Sequence, residues 1–278
     1  MSDDNKDQRD FWTDGGGLNW LAYEADLDAS FAEIDQHLIA AGQPAGDMQV
    51  MDLGCGTGRT TRRIPQALGA GGSVTGVDIS SSLLDAARAE GGTGISYLEA
   101  DAQDYAFGDG AFDLILSRFG SMFFADPVAG LANLRRSLVP GGKMVLACWR
   151  RGKENPWFLV PLKAAITHFC PVGEIDPTAP GPTAFGDENR VLGLLEQAGF
   201  AEAGVEVLDL SLRYPRGIED FIALQFKIGS MTRLIAEHEP DDAAKDRAAQ
   251  MIAEAFADSS SADQVLIPAR INLFTAVA

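Results

Sequence analysis

The chain has 278 residues, 46% hydrophobic and 22% charged, with 30 glycines and 13 prolines. This composition excludes a fibrous or wholly disordered chain and leaves room for one elaborated α/β domain. Lys and Arg number 22 against 40 Asp and Glu, a formal net charge of −18 that repels phosphate backbones and anionic lipid, so neither nucleic acid nor a membrane is an expected partner.

The opening MSDDNKDQRD is acidic and polar where a signal peptide needs a basic start and an apolar run. It reads as an unstructured lead on a cytoplasmic protein. Cys55, Cys148 and Cys170 fit no CxxC or zinc spacing, so neither a disulfide framework nor a metal is expected. Between Ala29 and Ala41, Phe31, Ile34, Leu38 and Ile39 recur three and four apart, which predicts a surface helix. MQVMDLG is a short apolar run closed by glycine, a strand buried on both faces.

Alternation follows. Residues 59–68 read as a helix in which Pro65 forces a kink or a late start. Next come SVTGVDIS as strand, SSLLDAARAE as helix, GISYLEA and AFDLILS as strands, PVAGLANLRRSL as helix and GGKMVLACW as strand. Strands alternating with helices of about ten residues predict βαβ units and a doubly wound parallel sheet. Asp126 caps the helix that begins at Pro127, and Pro140-Gly141 ends it. Residues 150–185 are a proline-rich insertion around a helix from Phe158 to Phe169. Asp187 caps VLGLLEQAGF, a strand follows near Val205 to Tyr214, and a helical, acidic stretch leads to a closing strand, VLIPARINLFTAVA. The basic clusters Arg59, Arg62, Arg63; Arg135, Arg136; and Arg150, Arg151, Lys153 read as ordinary solvated charge.

The sharpest motif is VMDLGCGTGRTT, a buried strand running into Gly54, Gly56 and Gly58. Glycines there allow a tight turn and a ligand close to main-chain N–H groups, and a helix start would add positive partial charge. Asp78 ends the next strand, 20 residues past Gly58, where a carboxylate accepts ribose hydroxyl protons. The lesser alternative for Asp78 is a cap on the following helix, a role that Ser80 also fills. LEADAQD then ends a strand on Asp101, and FDLILSRFGSMFF ends another.

With these elements in order, the chain resembles the class I S-adenosylmethionine-dependent methyltransferases of the bacterial small-molecule type, most strongly over residues 48–149. The resemblance implies a Rossmann-like seven-stranded sheet with its last strand antiparallel and helical lid insertions. It implies S-adenosyl-L-methionine as cofactor. Gly54 and Gly56 would contact the methionine moiety with Asp52 positioning their loop, and Asp78 would hold the ribose. Ile79 would pack on the adenine, Asp101 would meet its amino group beside Ala102, and Ser117 would lie near the methionine end. The reaction implied is direct in-line displacement at the sulfonium methyl by a small-molecule acceptor.

The organisation expected is one domain: a lid segment over residues 1–45, a cofactor core over 46–149, and insertions at 150–185 and 215–264 that form the acceptor pocket. Trp12, Trp20, Arg118, Phe119, Met122, Trp149 and Trp157 are candidate pocket residues, able to line an apolar slot or an aromatic cage. Alignment and water exclusion carry most of a sulfonium methyl transfer, so no catalytic residue is required; His168 and Tyr23 are the candidates for a general base. A homodimer is an allowed assembly. An NAD-linked oxidoreductase remains an alternative for the strand, glycines and acid, although its GxGxxG fingerprint is not matched. The other alternative is a cofactor binder without activity.

Overall fold

Seven strands form one sheet in the computed structural model of the chain, which describes residues 5–169 and 176–278. Cys170 and Pro171, part of the proline-rich insertion, lie outside the described residues. Strand β1 (Gln49–Leu53) buries every residue after its first, as expected of a strand covered on both faces. It runs parallel to β2 (Ser73–Asp78) on one side and β4 (Phe112–Arg118) on the other. Strand β3 (Ile95–Glu99) continues the sheet beyond β2, and β5 (Leu138–Trp149) beyond β4, again parallel. Strand β7 (Val265–Val277) lies between β5 and β6 (Glu202–Tyr214), antiparallel to both, giving the order β3-β2-β1-β4-β5-β7-β6. The chain therefore winds one way from β1 through β2 to β3 and then returns to β4, so a crevice opens at the carboxyl ends of β1 and β4, where open α/β sheets bind ligands.

Helices α4 (Ser81–Glu90), α5 (Pro127–Ser137) and α7 (Glu188–Gln197) start at capping side chains. Ser80 accepts from the Leu83 N–H at 3.3 Å, Asp126 from Ala129 at 3.0 Å and Asp187 from Arg190 at 3.1 Å, each cap contributing about 1 kcal/mol. Pro140-Gly141 does not end α5, which stops at Ser137. The pair lies in the first part of β5, where the register against β4 shifts between Phe112 and Leu114.

Two other expectations are corrected. No α-helix follows β1: residues 54–63 form turns, and Ile64–Ala67 form a 3₁₀ turn containing Pro65. Pro65 can donate no helical hydrogen bond, and the threonines before it turn their hydroxyls to buried carboxylates instead. The lead is also ordered from Asn5, with α1 (Lys6–Thr13) and α2 (Gly15–Ala22) in succession.

Helix α3 (Glu24–Gly42) buries Leu27, Phe31, Ile34 and Leu38, spaced four, three and four apart, against β4, β5 and β6. Burying such side chains stabilises by about 1.5–3 kcal/mol each. Helix α3 is thus part of the layer that covers the sheet, with Leu27 and Phe31 reaching the crevice, and α1 and α2 extend over it. Helices α6 (Pro156–His168), α8 (Ile218–Gln225), α9 (Thr232–His238) and α10 (Asp242–Ala255) complete the molecule, with α10 packed on α6 and α8. Among the described residues, no helix is long and apolar enough to cross a membrane.

Candidate cofactor and acceptor site

A cavity of about 1600 Å³ lies over the carboxyl ends of β1, β2, β3, β4 and β5. The β1 end contributes Asp52, Gly54 and Gly56, β2 contributes Asp78 and Ile79, and β3 contributes Asp101 and Ala102. The opposite wall holds Arg118 at the end of β4, Phe119 and Met122 after it, Trp149 at the end of β5, Trp157 on α6, and Trp12 and Trp20 from the N-terminal helices.

Close backbone packing shapes the glycine loop. Gly54 has φ +66°, and a Cβ there would stand 2.5 Å from the Gly120 Cα. The loop and the β4 turn thus meet backbone to backbone. Gly56, at φ +53°, has only Leu83 Cδ1 at 3.9 Å near its would-be Cβ, leaving open space on the cavity side. Between Arg118 and Gly120, Phe119 adopts φ +68°, a strained conformation for a bulky residue that costs of order 1–3 kcal/mol. Its ring stacks on Trp149 at 4.9 Å with the planes 7° apart.

Asp78 accepts from Gly56 N–H at 2.7 Å and Ser80 N–H at 2.9 Å, so it ties the glycine loop to the start of α4. Burial pushes its carboxyl above the usual range, while the N–H groups of Ser80, Gly56 and Ile79 pull the other way. Asp52 is buried beneath the loop and accepts from the Thr61 hydroxyl at 2.6 Å. Burial pushes its carboxyl up to about 7; the Thr61 bond opposes this, the carboxylates of Asp35 and Asp78 add to it, and Arg118 lowers it. Asp101 accepts at both oxygens from the Asn5 amide, each at 3.0 Å, and Asn5 in turn accepts from the Ala125 N–H. Ser80 and Ser82 donate their hydroxyls to the carbonyls of Trp12 and Thr13, fastening the end of α1 beside the β2 tip.

A buried ionic cluster supports the loop from behind. Asp35 of α3, 1% exposed, accepts from Thr60 at 2.8 Å, bonds Arg63 and lies 3.3 Å from Arg118. Arg63 also makes a two-pronged contact with Asp28, and Arg59 pairs with Glu24 at 2.8 Å. The basic cluster at 59–63 is therefore not simple solvated charge, because Arg59 and Arg63 clamp the residues after the glycine loop to α3.

Of the residues singled out from the sequence, Asp52, Gly54, Gly56, Asp78, Ile79, Asp101 and Ala102 border the cavity, as do all seven pocket candidates. Ser117 does not. It is fully buried, and its hydroxyl donates to the Leu53 carbonyl at 2.9 Å, locking β4 to β1. His168 ends α6 and Tyr23 immediately precedes α3, and neither borders the cavity, so neither is placed as a general base. Asn5, Asp35 and Gly120 were missed. Gly120 stood in the quoted SRFGSMFF, but a glycine after a strand does not announce what it touches.

The open backbone at Gly56, the acid at the β2 end and the second acid at the β3 end fit a nucleoside with a polar tail. A family model described as a methyltransferase domain matches residues 50–142. Nocamycin O-methyltransferase of Saccharothrix syringae is 30% identical over 209 residues, 69% of this chain and 73% of that protein. The bifunctional biotin biosynthesis protein BioCD of Bordetella avium is 34% identical over 148 residues, which cover 52% of this chain but only 32% of BioCD. Phosphoethanolamine N-methyltransferase 2 of Haemonchus contortus, solved with S-adenosyl-L-methionine, shares the fold at TM-score 0.60 and 18% identity, over 97% of this chain and 59% of its own. The chain belongs to the class I S-adenosylmethionine-dependent methyltransferases, and its cofactor is S-adenosylmethionine.

Proposed function

We propose that the protein transfers the S-adenosylmethionine methyl group to a small-molecule acceptor held in the same cavity. The observation that carries this reading is the cavity itself. At about 1600 Å³ it exceeds the roughly 300–1,000 Å³ that one ligand fills, and its wall away from the glycine loop is built by α2, the β5 end, α6 and the segment before α9. Nocamycin O-methyltransferase, by its name, acts through oxygen on a small molecule, and an oxygen acceptor is the first to test here.

In this reading Gly54 and Gly56 present backbone to the methionine moiety, and Asp52, hydrogen-bonded to Thr61, sets the loop. Asp78 accepts from the ribose hydroxyls, Ile79 packs on the adenine, and Asp101 accepts from its amino group beside Ala102. The cofactor supplies an already activated methyl on a sulfonium. The protein's contribution is alignment and the exclusion of water by α1, α2 and the aromatic wall. No histidine borders the cavity among the described residues.

The test is incubation with labelled S-adenosylmethionine and a metabolite panel, read by mass spectrometry for the gain of one CH₂. S-adenosylhomocysteine should raise the melting temperature, by roughly 2.7 kcal/mol of stabilisation at about 100 times its dissociation constant. Stabilisation by NAD alone would overturn the reading in favour of an oxidoreductase. Binding of S-adenosylhomocysteine with no methylated product across the panel would favour a silent binder.

A further inference from the structure

The charge around the cavity is divided unevenly. The cofactor end carries the acidic side chains Asp52, Asp78 and Asp101, of which burial pushes Asp52 up to about 7. The rim away from it carries Arg151, Lys153, Arg190, Lys227 and Arg233, in a chain of net charge −18. Two acids share that rim, and both are engaged. Asp187 pairs with Arg151 at 2.7 Å and caps α7, and Asp176 accepts from the Thr178 N–H at 2.8 Å and its hydroxyl at 2.7 Å. Among the described residues, Lys153, Lys227 and Arg190 have no carboxylate within 4.0 Å. They come from three separate segments: the β5–α6 connection, α7 and the α8–α9 connection. Arg190 acts electrostatically on Asp176, but among the described residues the five basic side chains bordering this part of the cavity outnumber the two acids, and in a strongly acidic protein such an excess forms a local positive field that draws and orients an anion.

Behind this rim the wall is apolar and aromatic. Phe31 lies 5.9 Å from Trp149 and 5.6 Å from Trp157, and Trp149 meets Phe158 edge-on at 4.9 Å. All four rings border the cavity. Flat rings favour a flat, conjugated partner, which gains offset or edge-on contacts beyond its area burial. Resting on the methyltransferase reading of this cavity, we infer that the acceptor is a conjugated organic acid, bound as its anion with its body against the aromatic wall and its charge at the Lys153, Arg190 and Lys227 rim. The same rim disfavours amines and other cationic acceptors.

The experiment is calorimetric titration of the S-adenosylhomocysteine-loaded protein with three naphthalenes of one shape: 2-naphthoate, neutral 2-naphthamide and the cationic 2-naphthylmethylammonium. The expected result is naphthoate binding about tenfold tighter than the amide, with the ammonium weakest, because two or three partly exposed ion pairs supply gains of that order. Lys153→Gln combined with Lys227→Gln changes two exposed side chains. It should cut the preference to about threefold while leaving S-adenosylhomocysteine affinity unchanged. Equal or tighter binding of the amide or the ammonium would overturn the inference, as would a naphthoate preference untouched by the double variant. Absence of binding by all three naphthalenes, with S-adenosylhomocysteine bound, would overturn it as well. Failure of S-adenosylhomocysteine to bind would strike the methyltransferase reading instead, and naphthoate titrated against the protein alone would still decide the charge preference.

Discussion

Gly120→Ala isolates the contact that shapes the cofactor loop. Gly120 has φ −80° and ψ −35°, a conformation open to any residue, so the whole penalty of the substitution is steric. The added Cβ would stand 2.6 Å from the Gly54 Cα and 2.6 Å from the Leu53 carbonyl oxygen, where carbon atoms pack at about 3.5–4.0 Å. The ends of β1 and β4 would have to part by about 1 Å, against a register that pairs Asp52 with Leu116 and a Ser117 hydroxyl bonded to Leu53. Overpacking of this kind costs about 1–3 kcal/mol. At roughly 2–4 °C per kcal/mol, the melting temperature should fall by several degrees. The displaced loop should also loosen its contacts with S-adenosylhomocysteine, at about 0.5–1.5 kcal/mol per hydrogen bond, weakening affinity about tenfold. Calorimetry and a melting curve on the same preparation read both quantities. A Gly120→Ala protein that melts within a degree of the parent and binds equally would refute the backbone-to-backbone account.

Asp78→Ala should weaken S-adenosylhomocysteine binding roughly ten- to hundredfold with the fold intact, through loss of charge-assisted bonds at the β2 tip; unchanged calorimetric affinity would leave Asp78 only the tie between Gly56 and Ser80. Asp101→Ala should weaken it less, one amino contact being lost. Asp52 holds its proton to about pH 7 when folded but ionises near 3.8 when unfolded, so folding takes up a proton in that interval and stability falls as pH rises from about 4 to about 7. The full effect is about 4 kcal/mol. Asp52→Asn keeps an acceptor for Thr61 and should flatten this slope in urea midpoints measured across the interval; parallel slopes in both proteins would contradict the burial argument. Removing residues 1–23 should leave S-adenosylhomocysteine affinity within about tenfold while abolishing most turnover, because α1 and α2 cover the crevice and α3 stays whole. Normal turnover by the truncated protein would show that the acceptor is shielded without them.

The sheet and the cofactor end were legible because their signals are local. A buried strand, its glycines and the acid at the next strand tip each announce themselves within a few residues, and the caps Asp126 and Asp187 do the same. What escaped depends on partners far along the chain. Thr60, Arg59 and Arg63 looked like the first turns of a solvated helix, yet their partners Asp35, Glu24 and Asp28 lie 25 to 35 residues earlier. Asn5 sat in a polar lead, and its contacts with Asp101 and Ala125 lie 96 and 120 residues away. Ser117 was expected near the methionine end from the family pattern, but its hydroxyl is used up by Leu53, a choice set by strand register. His168 and Tyr23 were candidates by chemistry alone, and the helices that carry them place both away from the cavity.

The clamp between α3 and the residues after the glycine loop bears on what can be cut out of this protein and still work. Where an α-helix might have secured the loop from its own sequence, Asp28 and Asp35 do so from a helix that precedes β1. A fragment limited to the family-matched residues 50–142 would carry every sequence motif of the cofactor end, yet leave Arg63 and Arg118 without their counter-ions and uncover the face of β4 that α3 packs against. Grafts and chimaeras that exchange acceptor-binding parts around this core should therefore take their left-hand seam before Glu24, since the unit that is inherited as a motif is shorter than the unit that stands as a structure.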